Sequence, residues 1–333
     1  HTPIRRQRQM CIRDSACTNC GVECFRCIVC YCRHFNPPTI MKKLLLTLLC
    51  FGASCAHANT TILFNDSWAD GGLTDGADEA DIAWYGTTGS SALDSNSYTA
   101  ENNFLSARSG TSGRGFHGVF ARQSIANTGD KITVTYSFTT PDTVGTKSTA
   151  LKVGFFDSNG ALAQNPNNDS NGNARATVGA PIHTQSSLGS QDAGWDTVYG
   201  EAADLDVASS EESNFGFKSK TSSVATSRLL NSSTGWTSQG SNVDGAYTIV
   251  ANTSYVGTFS IENKGSDLYD LSATISSGGT LLAGETREGK TIAANAFDII
   301  AFNHASNAFG STNASGVADN GLDYTNIQVT FTQ

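Results

Sequence analysis

Alternation of apolar and polar residues with a period of two constrains this chain more than any other feature. Lys131 to Thr139 reads KITVTYSFT: Ile132, Val134, Tyr136 and Phe138 share one side, and Lys131, Thr133, Thr135 and Ser137 the other. Successive side chains of an extended strand point to opposite faces, so the pattern predicts a half-buried antiparallel strand. Ser254–Glu262 repeats it with Tyr255, Gly257, Phe259 and Ile261, and Tyr324–Thr332 with Ile327, Val329 and Phe331. Weaker strands are predicted at Thr60–Phe64, Ile82–Tyr85, Phe104–Ala107, Gly115–Ala121, Ala150–Phe156, Thr197–Gly200, Phe215–Lys218, Tyr247–Ala251, Tyr269–Ile275 and Phe297–Asn303. Turn residues separate them at Asn127–Asp130, Asp157–Gly160, Asn263–Ser266, Ser277–Gly279 and Asp319–Gly321. Leu205–Glu212 alone has a helical flavour, and Ser158–Asp196 is a long polar stretch without a strand pattern. The expected fold is all-β, a two-sheet antiparallel β-sandwich with jelly-roll connections. It has about a dozen strands, most of them too polar on one face to be fully buried.

Where that domain begins is set by Met41–Ala58, MKKLLLTLLCFGASCAHA. Two lysines precede an apolar run, Leu44–Cys55, and the run closes on Ala56-His57-Ala58, the layout of a secretory signal peptide cut before Asn59. The run is well short of the ~20 residues that cross a bilayer. Gly52 stands where a lipid-acceptor motif at Cys55 needs a branched apolar residue. An export signal must be presented at an N-terminus, so residues 1–40 are read as foreign to the protein. Arg5–Ser15, RRQRQMCIRDS, resembles translated sequencing-adapter sequence at the edge of a metagenomic read. Cys17, Cys20, Cys24 and Cys27 have metal-like spacing, but they sit in that leader and are not read as a metal site. The expected organisation is residues 1–40 as artefact, 41–58 as signal peptide and 59–333 as a single β-sandwich domain.

The cut changes the composition that matters. All nine cysteines precede Asn59, as do 8 of the 21 basic residues, leaving 13 Lys and Arg against 28 Asp and Glu, a net of −15 over residues 59–333. A Cys-free acidic chain suits export from a bacterium, with stability supplied by core size and not by disulfides. It excludes the basic footprint that nucleic acid or an anionic membrane requires. The mature chain is expected to carry no membrane span and to act outside the cell or in the cell envelope after cleavage near Ala58.

The ordered run from Lys131–Thr139 through Ala150–Asp157 (ALKVGFFD) to Gly321–Phe331 (GLDYTNIQVTF) resembles secreted bacterial β-sandwiches of the concanavalin A-like, laminin-G-like kind. It also resembles exported environmental-bacterial proteins that end in a PEP-type sorting anchor, although no Pro-Glu-Pro, apolar tail and basic end occur before Gln333. The resemblance implies a lectin-like fold and carbohydrate binding, with a polysaccharide or cell-surface glycan as partner. A polysaccharide-degrading enzyme and a structural surface or adhesin module are the alternatives on the same fold.

Four sets of residues are candidates for that chemistry. Aromatic rings stack on sugar faces, which selects Trp195 and Trp236 in polar contexts, while Trp84 is read as core. A lyase would need a His or Tyr base, for which His183 and Tyr199 are available, and His117 and His304 are read as structural or exposed. Asn167-x-Asp169-x-Asn171-Gly172, with Asp157 upstream, has the alternating oxygen donors of a structural calcium loop, and the acidic stretch Asp66–Asp81 is a second such region. Glycoside hydrolysis needs two positioned carboxyls. Glu201-Ala-Ala-Asp-Leu-Asp206 lacks the spacing for that and is read as solvated acids on a loop. No catalytic residue is assigned, and no cofactor is expected beyond structural calcium.

Overall fold

The computed structural model describes residues 58–69, 82, 84–86, 98–101, 103–109, 114–142, 144, 151–158, 198–205, 215–221, 229–230, 235–240, 247–305, 308–309 and 320–333. All of them belong to the compact unit Ala58–Gln333.

They form fifteen strands. In chain order these are β1 Thr60–Asp66, β2 Trp84–Gly86, β3 Tyr98–Glu101, β4 Phe104–Ser109, β5 Arg114–Ser124, β6 Lys131–Thr139, β7 Leu151–Asp157 and β8 Tyr199–Leu205. They continue as β9 Phe215–Lys220, β10 Trp236–Ser238, β11 Ser254–Gly265, β12 Leu268–Ser277, β13 Thr280–Lys290, β14 Ala296–His304 and β15 Asn320–Thr332. An eight-stranded sheet runs β13-β12-β11-β6-β15-β4-β3, with β1 also on β15, and a seven-stranded sheet runs β10-β9-β8-β7-β14-β5-β2. Every ladder is antiparallel. The fold is the expected all-β, two-sheet antiparallel sandwich.

The strands with the clearest alternation occupy the middle of the eight-stranded sheet. β6 is buried at every second residue, and Ile132, Val134, Tyr136 and Phe138 face Ile261, Phe259, Gly257 and Tyr255 of β11 across the ladder. The seven-stranded sheet supplies Leu151, Val153, Phe155, Phe217, Ile300 and Phe302 to the same core. Each such side chain contributes roughly 1.5–3 kcal/mol when fully removed from water.

Several expectations fail for physical reasons. β14 is buried at all nine positions, and β7 and β8 nearly so, because the outer face of the seven-stranded sheet carries a second apolar cluster. That cluster joins Phe156, Val198, Ala202, Ile299 and Ala301 to Leu229 and Leu230, with Trp236 and Val119 packed against it. Strands covered on both faces lose alternation, so these three depart from the expectation of half-exposed strands, which β6, β11 and β12 meet. β13 is the opposite case. As an edge strand it alternates between exposed and half-buried positions, but Glu285 and Arg287 stand on the half-buried side, so no apolar period marks it and no strand was expected there. β3 and β10 were also not expected, and they lie at the edges of their sheets. Tyr247–Ala251 alternates in burial at Tyr247 and Ile249 but joins no ladder, because periodicity reports which side is dry and not whether a neighbouring strand exists. Asn320-Gly321, read as a turn, is the start of β15. Leu205 ends β8 as a strand residue, and the rest of the helical-looking stretch lies outside the described residues.

Candidate functional site

β7 and β8 lie side by side with Asp157 opposite Tyr199 at the end of their ladder. Asp157 shares parity with the core residues Val153 and Phe155, and Tyr199 with Ala203 and Leu205, so both side chains are directed between the two sheets. Facing them is the β11–β12 hairpin of the other sheet, where Gly265, Ser266 and Asp267 all have positive φ (87°, 56° and 58°). Left-handed residues at both central positions of a two-residue turn match the right-handed twist of the strands, although Ser and Asp fit this conformation less readily than Gly or Asn. The segment 291–295, between β13 and β14, forms the third side. Together Asp157, Tyr199, Asp267, Tyr269 and Thr291–Asn295 line a cleft of about 520 Å³.

Hydrogen bonds hold the walls in place. Glu201, wholly buried on β8, accepts the Ala293 N–H at 2.6 Å and the Ser219 hydroxyl. The Gln239 amide donates to Ser219 Oγ and, at 3.0 Å, to the Thr291 carbonyl. Segment 291–295 is therefore tied to the seven-stranded sheet at two points. Burial pushes the Glu201 carboxyl up to about 8, against the two hydrogen bonds that favour its charged form. Arg122 grips Asp157 with two parallel bonds, Nε to Oδ1 at 2.9 Å and Nη2 to Oδ2 at 2.8 Å, and this pairing holds the guanidinium above its ordinary range. Asp298 accepts the Ser158 N–H at 2.8 Å and the Ser158 hydroxyl, and its pKa is raised, mainly by burial. Tyr269 is 4% exposed, so its ring belongs to the core while it also lines the cleft, and burial raises its hydroxyl pKa. The fully buried Lys220 donates to the Val198 carbonyl at 2.6 Å and lies 5.8 Å from the Tyr199 ring centroid.

Two of the candidate ligand residues, Tyr199 and Trp236, are not brought together. Tyr199 lines the cleft, whereas Trp236 stands on the outer face of the same sheet, edge-on to Phe156 at 5.9 Å. Trp236 was read as a loop residue and is a half-buried strand residue. Trp195, His183, Asn167, Asp169 and Asn171 lie outside the described residues. Asp157, chosen as a metal donor, has both carboxylate oxygens on Arg122. Among the described residues no group of three or more His, Cys, Asp or Glu is arranged to hold a metal ion.

Glu201 and Asp204, read as solvated loop acids, are strand residues 0% and 3% exposed, a correction to the reading of that stretch. Asp204 is paired with Lys218 at 2.9 Å. Asp66 is buried as well, accepting the Trp84 indole N–H at 2.5 Å and the Trp68 backbone N–H at 2.8 Å, and both Trp rings are core. His117 and His304 are buried, 0% and 1% exposed. Asp267, Tyr269 and segment 291–295 were not singled out from the sequence. The only local signal was an acidic residue directly after the turn Asn263–Ser266, where glycine is more usual.

No protein-family model matches this chain, and no curated protein matches it. Solved structures do. The chain is similar to a protein of unknown function from Shewanella oneidensis MR-1, with 14% identity, 90% of this chain and 95% of that one covered, and a TM-score of 0.41. It is similar to lectin II from Ulex europaeus, with 10% identity, 82% and 98% covered, and a TM-score of 0.39. It is also similar to the alginate lyase Aly36B, with 9% identity, 80% and 95% covered, and a TM-score of 0.40. Among the described residues no helix is long and apolar enough to cross a membrane.

Proposed function

We propose that this chain is an exported β-sandwich protein that binds a glycan in the cleft between its two sheets and performs no reaction on it. The observation that carries the reading is the make-up of that cleft. Two tyrosines, two carboxylates, Asn295 and the backbone of 291–295 surround about 520 Å³. Aromatic rings with a few fixed polar groups are what a sugar ring, apolar on its faces and hydroxylated at its rim, requires. The buried carboxyls beside the cleft support binding and not turnover. Glu201 and Asp298 are occupied in holding Ala293 and Ser158. The outer face of the seven-stranded sheet is packed with Phe156, Ile299 and Trp236.

Export rests on Met41–Ala58. Expression of the chain from Met41 in a bacterium should release a product whose N-terminal residue is Asn59, and retention of Met41 in the mature product would overturn export. For binding, affinity electrophoresis against neutral, acidic and amino-sugar polymers should show retardation by at least one. Tyr199→Ala should weaken it about tenfold, the value of one lost aromatic contact of roughly 1.4 kcal/mol. Trp236→Ala, on the other side of the sheet, should leave it unchanged. No retardation by any polymer overturns the binding reading.

A further inference from the structure

The lining of the cleft is acidic. Asp157 and Asp267 are its charged lining residues, and no Lys or Arg is among the lining. Asp157 is neutralised by Arg122. Asp267 has no ion-pair partner among the described residues, since Lys264, three positions earlier in the hairpin, is committed to Glu262 at 2.7 Å and Asp270 at 3.7 Å. Lys220, near the Tyr199 ring, is completely buried and offers a ligand no contact. Lys290, opposite Tyr269 in the β12–β13 ladder, stands outside the lining. One uncompensated carboxylate therefore meets whatever enters, beside the half-buried Tyr199. The whole domain acts in the same direction, with 13 basic residues against 28 acidic ones after Ala58. A field of that sign draws cationic polymers in and repels polyanions.

Resting on the glycan-binding reading, we infer that the cleft selects sugars carrying a protonated amine, oligomers of glucosamine, and rejects polyuronates. The amine supplies the counter-charge that Asp267 lacks, and the sugar ring supplies an apolar face for Tyr199. A uronate would place its carboxylate against Asp267 with no cation in the lining to receive it, which is unfavourable on both counts.

The test measures binding of matched-length oligomers of glucosamine, N-acetylglucosamine and galacturonate to the intact exported protein at mildly acidic pH. The glucosamine oligomer should bind tightest, lose affinity as salt is added, and outbind its acetylated twin, and the galacturonate oligomer should not bind. Asp267→Asn keeps a residue that accepts the left-handed turn conformation. It should cost up to about fivefold in glucosamine affinity, the upper end for one exposed charge pair, and nothing in affinity for the acetylated oligomer. Glu288→Gln removes the same charge from an exposed position on β13 outside the cleft and should change neither. Equal binding of the two amino-sugar oligomers, binding of galacturonate, or an equal loss in the two variants overturns the charge selection and leaves the cleft as a neutral-glycan site. Failure of all three oligomers and of the wider polymer panel overturns the glycan reading itself.

Discussion

Thr258 and Ile299 occupy equivalent places, each on the outer face of a central strand, and their surroundings differ completely. Thr258 of β11 is half-buried and meets Thr274 of β12 through a hydroxyl–hydroxyl bond of 2.6 Å. The same pattern recurs across the eight-stranded sheet at Thr60–Thr332, Thr139–Ser254 and Ser272–Thr286. Ile299 of β14 has no exposed surface. It sits in a cross-strand row, Gly200–Phe156–Ile299–Val119, covered by Leu229, Leu230 and Trp236. One sheet is an amphipathic layer with water on one side, and the other is a middle layer between two apolar clusters. The difference shows what a second covering demands: small residues beside large ones. A Cβ on Gly200 would lie 2.2 Å from the Phe155 carbonyl oxygen and 2.5 Å from Phe156 Cδ1, and one on Gly154 would lie 2.9 Å from Phe156 Cε2. The Phe156 ring rests on the two glycines.

The largest test of the difference uses charge. The seven-stranded sheet buries Glu201, Asp204, Lys220 and Asp298, whereas Lys131, Glu262 and Asp270 of the eight-stranded sheet stay accessible. The Glu201 pKa is about 8 in the folded protein against an ordinary 4.5. Between those values the folded state keeps a proton that the unfolded chain gives up. Its contribution to stability is therefore complete at low pH, falls as the pH rises through the window, and levels off above about 8, a change on the order of 5 kcal/mol. Glu201→Gln removes this slope. Urea unfolding at about pH 5 and about pH 8 should show the wild type losing far more stability than the variant between the two. Parallel behaviour would mean that Glu201 ionises freely.

Packing gives the next two effects. Gly200→Ala should destabilise by about 4 kcal/mol, because its clash is partly with backbone and cannot be relieved by a rotamer change. Phe156→Ala, which empties the outer cluster, should cost about 3 kcal/mol. Both are read from the urea midpoint at constant slope. Losses below about 1 kcal/mol would show that the outer cluster is not packed as a core, and the contrast between the sheets would go with them.

The legible part of this architecture is the amphipathic layer. β6, β11 and β15 could be read from alternation because one face of each is wet. β14 was found from its apolar run, but nothing in Ala296–His304 says that both faces are dry, since the cover comes from Leu229, Leu230 and Trp236, far away in sequence. β13 was missed because its half-buried face carries Glu285 and Arg287, an ion pair at 3.1 Å, in place of apolar residues. Glu201 and Asp204 were misread for a related reason. A buried acid is recognised by its partners, Ser219, Ala293 and Lys218, and none is near it in the chain. Tyr199 was singled out as a possible base, but the cleft around it was not. Its remaining walls come from a hairpin and a connection more than sixty residues further on, and only the closure of the sandwich brings them together.

The smallest effect belongs to the hydroxyl pairs and bears on why the wet face is rich in Thr and Ser. If the Thr258–Thr274 bond stabilised the sheet substantially, removing it would cost as much as a core truncation. Both hydroxyls can instead bond to solvent when unpaired, so the net value is that of a cross-strand pair, about 0.2–1 kcal/mol. Valine keeps the shape and the strand preference of threonine. Thr258→Val and Thr274→Val should therefore each lie within about 0.5 kcal/mol of wild type, and the double variant should reveal a coupling below about 1 kcal/mol. The two valines should show their cost as earlier aggregation at high protein concentration, because they extend an apolar face that already exposes Val256 and Leu281. A coupling of several kcal/mol would instead make the hydroxyl ladders structural, and the wet face would then be held together from both sides, as the dry one is.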